Sequence, residues 1–297
     1  MKPPSGTRAL STAFAHAATL SPSQILDAIG RAGAGAVVLD AQIDPVRFNA
    51  LVGSLDLPIL AIEAPCPETR ESSAQLCSSD REEARVALAA AEATVRRAGE
   101  LEAGFVALRL GEIRALGPDW QRARDRWLRG DLGENDGRAI AALRERSGGR
   151  EQDAALRALD RLARAAEAAG VALAIRNGRR FIDVPTAREL DLMLAECAGA
   201  PVGPLFDVAA AQLPAAMGIW PFALAQAAFG NAALVYFSDA CGPLCGLPPG
   251  AGELDLAAIA AALPKQASWA YAPWSGLTVD ESLAAFTSLC RTWPPSA

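Results

Sequence analysis

The sequence predicts a single closed (β/α)8 barrel, and three observations carry the prediction. A chain of 297 residues, 51% of them apolar, is long enough to bury one large core. Eight short runs rich in Val, Ile, Leu and Phe alternate with helical patterns, the order expected of a mainly parallel sheet covered by helices. No linker of shifted composition divides the chain, so residues 1–297 read as one domain, and a closed barrel is favoured over an open doubly wound sheet.

Strands are expected at 9–16, 36–40, 58–65, 105–111, 171–177, 202–208, 233–239 and 269–274, each ahead of a helix. Helix starts support the count. Ser21, Ser79, Thr186 and Thr278 stand three residues before Gln24, Glu82, Glu189 and Glu281, the spacing of a capping box. Within 151–170, Leu156, Leu159, Leu162, Ala163 and Ala166 share one helix face, and Gly170 is placed to end the helix. The stretch 112–150, rich in Arg, Asp and Gly, is longer than a usual strand-to-helix loop. It reads either as a lid of one or two short helices over the barrel mouth or as a packing or oligomer element, with Trp120 and Trp127 as anchors.

Composition excludes some functions. A formal charge of -6 provides no basic field for nucleic acid or an anionic membrane. No apolar run reaches the ~18 residues of a membrane span, and the first sixteen residues lack the apolar core of a secretion signal, so a cytoplasmic location is expected. Six scattered cysteines in a long chain point to reduced thiols, and the spacing of Cys241 and Cys245 is wider than zinc sites prefer. The Ala-rich helix faces suit a homodimer as well as ordinary barrel packing.

In such a barrel the C-terminal ends of the strands converge on one mouth. The residues there are Phe14 and His16, Asp40 and Gln42, Glu63, Arg109 and Glu112, Arg176 and Asn177, Asp207, Tyr236 with Ser238 and Asp239, and Tyr271 with Trp274. Polar groups at the ends of apolar strands are costly to bury unpaired, so their clustering predicts a polar cavity.

Four segments carry a family resemblance. "LARAAEAAGVALAIRN" resembles a helix leading into a strand that ends Glu-Asn; "VGPLFDVAAA", a strand ending Asp-x-x-His; "ALVYFSDACG", a strand containing His-x-x-Asp; and "LPPGAGELDLAAIAAAL", a Pro-Gly-x-Gly-x-Ile-Asp segment entering the seventh helix. In this order and spacing they resemble the xylose-isomerase-like barrels, which include sugar-phosphate isomerases and epimerases. The resemblance implies a divalent metal held at the mouth by carboxylates and histidines, polarising a carbonyl or enediolate oxygen while carboxylates move the proton.

The implied ligand positions are mostly replaced. Arg176 stands for a glutamate, Ala210 and Tyr236 stand for histidines, and Tyr271-Ala272-Pro273-Trp274 occupies the final strand where a glutamate is expected. Asp207 remains, and His16 is the only histidine in the chain, so no metal or other cofactor is expected. Arg176 either supplies the positive charge of the lost metal, paired with Asp207 or facing an anionic ligand group, or forms an internal ion pair with Asp207 that fills the space. Arg109, Arg179 and Arg180 lie in neighbouring segments and add to that field.

Glu63, His16, Tyr236 and Asp239 are the candidates for proton transfer. Each has a structural alternative: His16 packing against Phe14, Glu63 pairing with Arg109, Tyr236 filling the cavity, and Asp239 organising the loop that follows it. Arg109, Arg176, Asn177, Asp207, Tyr271 and Trp274 are the candidates for holding substrate, with Tyr236, Tyr271 and Trp274 as an aromatic wall. Two functions are therefore expected to compete: a metal-independent isomerase, epimerase or lyase acting on a sugar-like or anionic small molecule, and a non-catalytic barrel serving as a binding or partner subunit.

Overall fold

A computed structural model of the chain describes residues 5–15, 20–273 and 276–292. The apolar runs become strands β1 (Arg8–Ser11), β2 (Ala36–Leu39), β3 (Ile59–Ala64), β4 (Phe105–Leu108), β5 (Gly111–Glu112), β6 (Ala172–Arg176), β7 (Asp183–Val184), β8 (Val202–Asp207), β9 (Leu234–Tyr236), β10 (Asp239–Cys241), β11 (Leu244–Leu247) and β12 (Ser268–Tyr271). The helices are α1 (Pro22–Ala32), α2 (Pro45–Val52), α3 (Arg81–Glu100), α4 (Gly117–Leu128), α5 (Glu134–Arg146), α6 (Gly149–Ala169), α7 (Ala187–Glu196), α8 (Val208–Ala216), α9 (Phe222–Phe229), α10 (Leu256–Ala262) and α11 (Val279–Thr292). Eight parallel strands close in the order β1-β2-β3-β4-β6-β8-β9-β12, because buried strands covered by helices on their outer face satisfy every ladder bond only by closing. Among the described residues no helix is long and apolar enough to cross a membrane.

Period-2 alternation divides the strand residues between two cores. Outward side chains such as Val37, Ile62, Val106, Ile175, Phe206 and Tyr271 pack under the helices, whereas Ala9, Ala61, Ala107, Ala174, Leu205 and Tyr236 fill the barrel interior. One shift in the β2–β3 register, between Val37 and Val38, turns both Leu60 and Ala61 inward. The extra residue sets the parity that aims Glu63 at the barrel axis.

Capping follows the sequence at three of four starts. Ser21 with Gln24 and Thr186 with Glu189 form capping boxes, and Thr278 exchanges bonds with Glu281 in the same way. The fourth is a correction: Asp80, not Ser79, caps α3, its carboxylate accepting from the N–H groups of Glu82 and Glu83. A carboxylate one residue later serves two donors and adds charge favourable at a helix N-terminus. In α6 the stripe Leu159, Leu162, Ala163 and Ala166 is buried, and Gly170 ends the helix at φ 68°.

Two strand boundaries also differ from expectation. β1 ends at Ser11 and Thr12–Ala15 turn into a 3-10 helix, while the apolar run at 105–111 leaves the barrel after Leu108 and pairs as β5 with β7. The stretch 112–150 carries α4 and α5, and Trp120, buried, meets Phe181 edge-on at 5.8 Å. Arg144 of α5 is buried and reaches across to the carbonyls of Phe181 and Asp183 and to Glu189 of α7. These contacts tie the stretch to the loop after β6, and of its residues Glu112 lines the mouth cavity.

Candidate functional site

The alternation that sorts the core also builds the mouth. Beyond the interior alanines the next inward positions are Asp40, Glu63, Arg109, Arg176, Asp207 and Tyr236, at or just past the ends of β2, β3, β4, β6, β8 and β9. They line one cavity of about 460 Å3, within the range that holds a small molecule. Because Leu108 pairs with Ile175, Arg109 and Arg176 follow at the same level on adjacent strands.

Arg176 is the centre of the cluster. Its Nε donates to Asp207 Oδ2 at 2.8 Å, Nη2 makes a second, shorter bond to the same oxygen, and Nη1 donates to Glu63 Oε1 at 3.3 Å. The guanidinium carbon lies 4.8 Å from the Tyr236 ring centroid, a cation–π arrangement. Although burial opposes its charge, the carboxylates of Asp207 and Glu63 raise its pKa further above the ordinary value, so it is a fixed cation at every working pH.

Asp207 is fixed from several sides. Its Oδ1 caps α8 by accepting from Ala210 N at 3.0 Å. Asn177 clamps its backbone, with Nδ2 donating to the Asp207 carbonyl at 3.0 Å and Oδ1 accepting from Asp207 N at 2.7 Å. Glu63 bridges two arginines, since Arg109 Nη2 stands 3.8 Å from its Oε2. Even so, its pKa is raised: burial outweighs the pull of Arg176, and the nearby Asp40 adds repulsion. The Tyr236 hydroxyl is buried beside the Glu63 carboxylate, and burial together with that charge pushes its pKa well up.

A pH prediction follows from Glu63. A carboxyl whose pKa is higher folded than unfolded binds more protons in the folded state, so its contribution to stability falls as pH rises above the ordinary 4.5. The stability of Glu63→Gln relative to the parent is expected to improve steadily from pH 4.5 towards neutrality; urea unfolding across that range reads it, and a flat difference would contradict the raised pKa.

Not every expected residue joins the cavity. Tyr271 is a correction: it faces outward between the inward Ala270 and Ala272, and its hydroxyl donates to the Gly246 carbonyl at 3.3 Å. Asp239 is another. Its carboxylate is buried and accepts four backbone N–H groups, from Ala240 at 2.8 Å, Gly250 at 2.9 Å, Gly252 at 3.0 Å and Leu254 at 3.1 Å. It therefore organises the loop before α10, and no acceptor site is left for a substrate proton. A Cβ at Gly252 would collide with Asp239 Oδ1 and the Ala240 carbonyl. Gly252→Ala is expected to lose about 1–3 kcal/mol in chemical unfolding, the usual cost of overpacking.

His16 and Trp274 lie outside the described residues. Cys241 and Cys245 sit on the β10–β11 hairpin as free thiols, Cys241 bonded to Glu253 and Cys245 to the Ala209 carbonyl. Gln75 lines the cavity from the loop after β3 and was not signalled by the sequence, because a glutamine in a polar loop has no pattern of its own. Arg180, which also lines the cavity, is paired with Glu112 and, at 2.6 Å, with Asp183.

Both inward carboxylates nearest Arg176 are bonded to its guanidinium, an alanine methyl stands at 210, and among the described residues no group of three His, Cys, Asp or Glu side chains is arranged to hold a metal.

No protein-family model matches the sequence, and no curated protein matches it. Solved structures do. A D-tagatose 3-epimerase-like protein aligns with TM-score 0.63 at 14% identity, over 96% of this chain and 98% of its own. The 3-keto-D-glucoside 4-epimerase YcjR of E. coli aligns with TM-score 0.64 at 11% identity, over 97% and 99%. An L-ribulose 3-epimerase aligns with TM-score 0.59 at 16% identity, over 95% and 86%. At these identities the likeness shows the fold alone, a closed (β/α)8 barrel that this chain shares with those proteins.

Proposed function

We propose that this chain is a sugar-directed enzyme of isomerase or epimerase type that moves protons without a divalent ion. The observation that carries the reading is the Arg176 guanidinium, held between Asp207 and Glu63 where the family resemblance implies a dication. The names of the structural neighbours make ketoses and keto-glucosides the first substrates to test.

In this mechanism a bound keto-sugar places the C–H bond next to its carbonyl against Glu63. The ionised carboxylate takes the proton, the C–H electron pair moves to the carbonyl oxygen, and an enediolate forms. Three of the five N–H groups of Arg176 are engaged by the two carboxylates, which leaves two to donate to that oxyanion. For an isomerisation Glu63 then returns the proton to the former carbonyl carbon, while the hydroxyl proton of the neighbouring carbon passes to the former carbonyl oxygen; the Tyr236 hydroxyl keeps its proton and donates a hydrogen bond at that oxygen. A carboxyl with a raised pKa suits the exchange, because proton transfer is most efficient when the pKa approaches the working pH.

The same ion pairing favours a second reading, a non-catalytic binding or partner subunit, because a guanidinium balanced by two carboxylates persists without a ligand. Deuterium exchange separates the two. In D2O with a chelator present, the parent protein is expected to wash deuterium into the carbon next to the carbonyl of a ketose or keto-glucoside, followed by NMR. Glu63→Gln is expected to lower that rate by about 10^2–10^4-fold. No exchange with any such sugar selects the second reading, and exchange that stops on chelation contradicts metal independence.

A further inference from the structure

Buried hydroxyls in this barrel find partners close at hand. Ser11 Oγ accepts from Ala13 N at 3.3 Å, Thr12 Oγ1 from Asp40 N at 3.0 Å and Ser268 Oγ from Thr7 N at 3.2 Å. Ser238 is different. It is 4% exposed and lines the mouth cavity, and its side chain makes no hydrogen bond among the described residues.

The strand end explains where that hydroxyl points. Tyr236 faces the barrel interior and Phe237 the outer core, so Ser238, one step further, turns back to the axis. The backbone is held there, since Phe237 N donates to the Ala270 carbonyl at 2.8 Å. Ala270 pairs with Tyr236, which brings Ala272 beside Ser238, and a methyl offers the hydroxyl nothing. The carboxylate next along the chain, Asp239, is filled by four backbone N–H groups.

A hydroxyl kept from water and from protein partners forfeits hydrogen bonds, and an unmatched buried polar group calls for a reason. Alanine would complete the same wall without that cost. The hydroxyl is neutral and both donates and accepts, so the partner it fits is another hydroxyl. It asks for no charge on the ligand.

We propose that Ser238 is a specificity-determining residue of the mouth, whose side chain hydrogen-bonds one hydroxyl of a bound ketose and discriminates against the sugar that lacks it. The inference rests on the sugar-site reading above and concerns recognition, not turnover. Tyr236 lies one inward step deeper on the same strand, so Ser238 meets the sugar on the side nearer the opening.

Calorimetric titration of the intact protein, parent and Ser238→Ala, with D-fructose and its 1-, 3-, 4-, 5- and 6-deoxy analogues tests this. For one analogue the parent is expected to bind about three- to tenfold more weakly than it binds D-fructose, the worth of one neutral hydrogen bond. In Ser238→Ala that difference should close to within about twofold, because D-fructose loses affinity and the analogue does not. General loosening of the site would instead weaken all six sugars alike. Such a uniform loss, unchanged D-fructose binding in the variant, or no binding of D-fructose to the parent would overturn the proposal. Because binding alone is read, a coupled hydroxyl without deuterium exchange would sink the enzyme reading and spare this one. Exchange on a ketose with no coupled hydroxyl would do the reverse.

Discussion

Arg176→Met is expected to lose about 3–5 kcal/mol of stability at neutral pH, because removing one partner of a buried ion pair strands the other. Here two carboxylates are stranded: Asp207 and Glu63 have side chains only 8% and 6% exposed, and both bond the same guanidinium. The sulfur side chain fills part of the volume but donates nothing to either oxygen. Stability of the variant should recover on acidification as the carboxylates protonate, so the gap to the parent narrows towards pH 4 when measured by urea unfolding. Arg176→Lys keeps one charge and loses the fork that reaches both acids, and it should fall between the two. A Met variant as stable as the parent at neutral pH would mean that the two carboxylates do not depend on the cation.

Arg144→Ala should cost as much, and for a structural reason. The guanidinium is 2% exposed and makes five bonds: to the carbonyls of Phe181 at 2.9 Å, Ser147 at 3.3 Å and Asp183 at 3.2 Å, and twice to Glu189 at 2.8 Å. Truncation leaves the buried Phe181 carbonyl, the half-buried Ser147 and Asp183 carbonyls and the buried Glu189 carboxylate without this donor, again about 3–5 kcal/mol. Replacing the pair together, as Arg144→Met with Glu189→Leu, should return part of the loss, since an apolar pair has no charge to leave uncompensated. The segment Arg144 holds also carries Asp183, the partner of Arg180 at the cavity wall, so the Ala variant is expected to weaken binding at the mouth as well as the fold. Equal stability of Arg144→Ala and the parent would contradict this role.

Much of the barrel was legible in the sequence because buried parallel strands read as apolar runs and their ends as abrupt polar residues. Asp40, Glu63, Arg109, Arg176, Asp207 and Tyr236 were all found at those ends, and the structure brings them to one cavity. What the sequence left open was parity. Tyr271 lies one residue from Ala270, and which of them faces inward follows from the neighbouring strands, not from either residue. The inward aim of Glu63 depends on a register shift that no composition announces.

Asp239 illustrates a different limit. Its position at a strand end suits proton transfer and loop organisation alike, and only the four N–H groups converging on it decide between them. The 3-10 turn at Thr12–Ala15 was hidden because its letters match those of a strand. At α3 both Ser79 and Asp80 are good caps, and the choice fell to the side chain that reaches two donors.

The most direct measurement is the metal content of protein loaded with excess manganese and magnesium, freed of loose ions by gel filtration and analysed by mass spectrometry, in the parent and in Arg176→Glu. With a guanidinium occupying the inward carboxylates of Asp207 and Glu63, the parent should retain no stoichiometric ion, and the variant, which returns a carboxylate to the end of β6, should gain affinity for one. A single tightly held ion per parent chain, in contact with Asp207, would contradict the account at its centre.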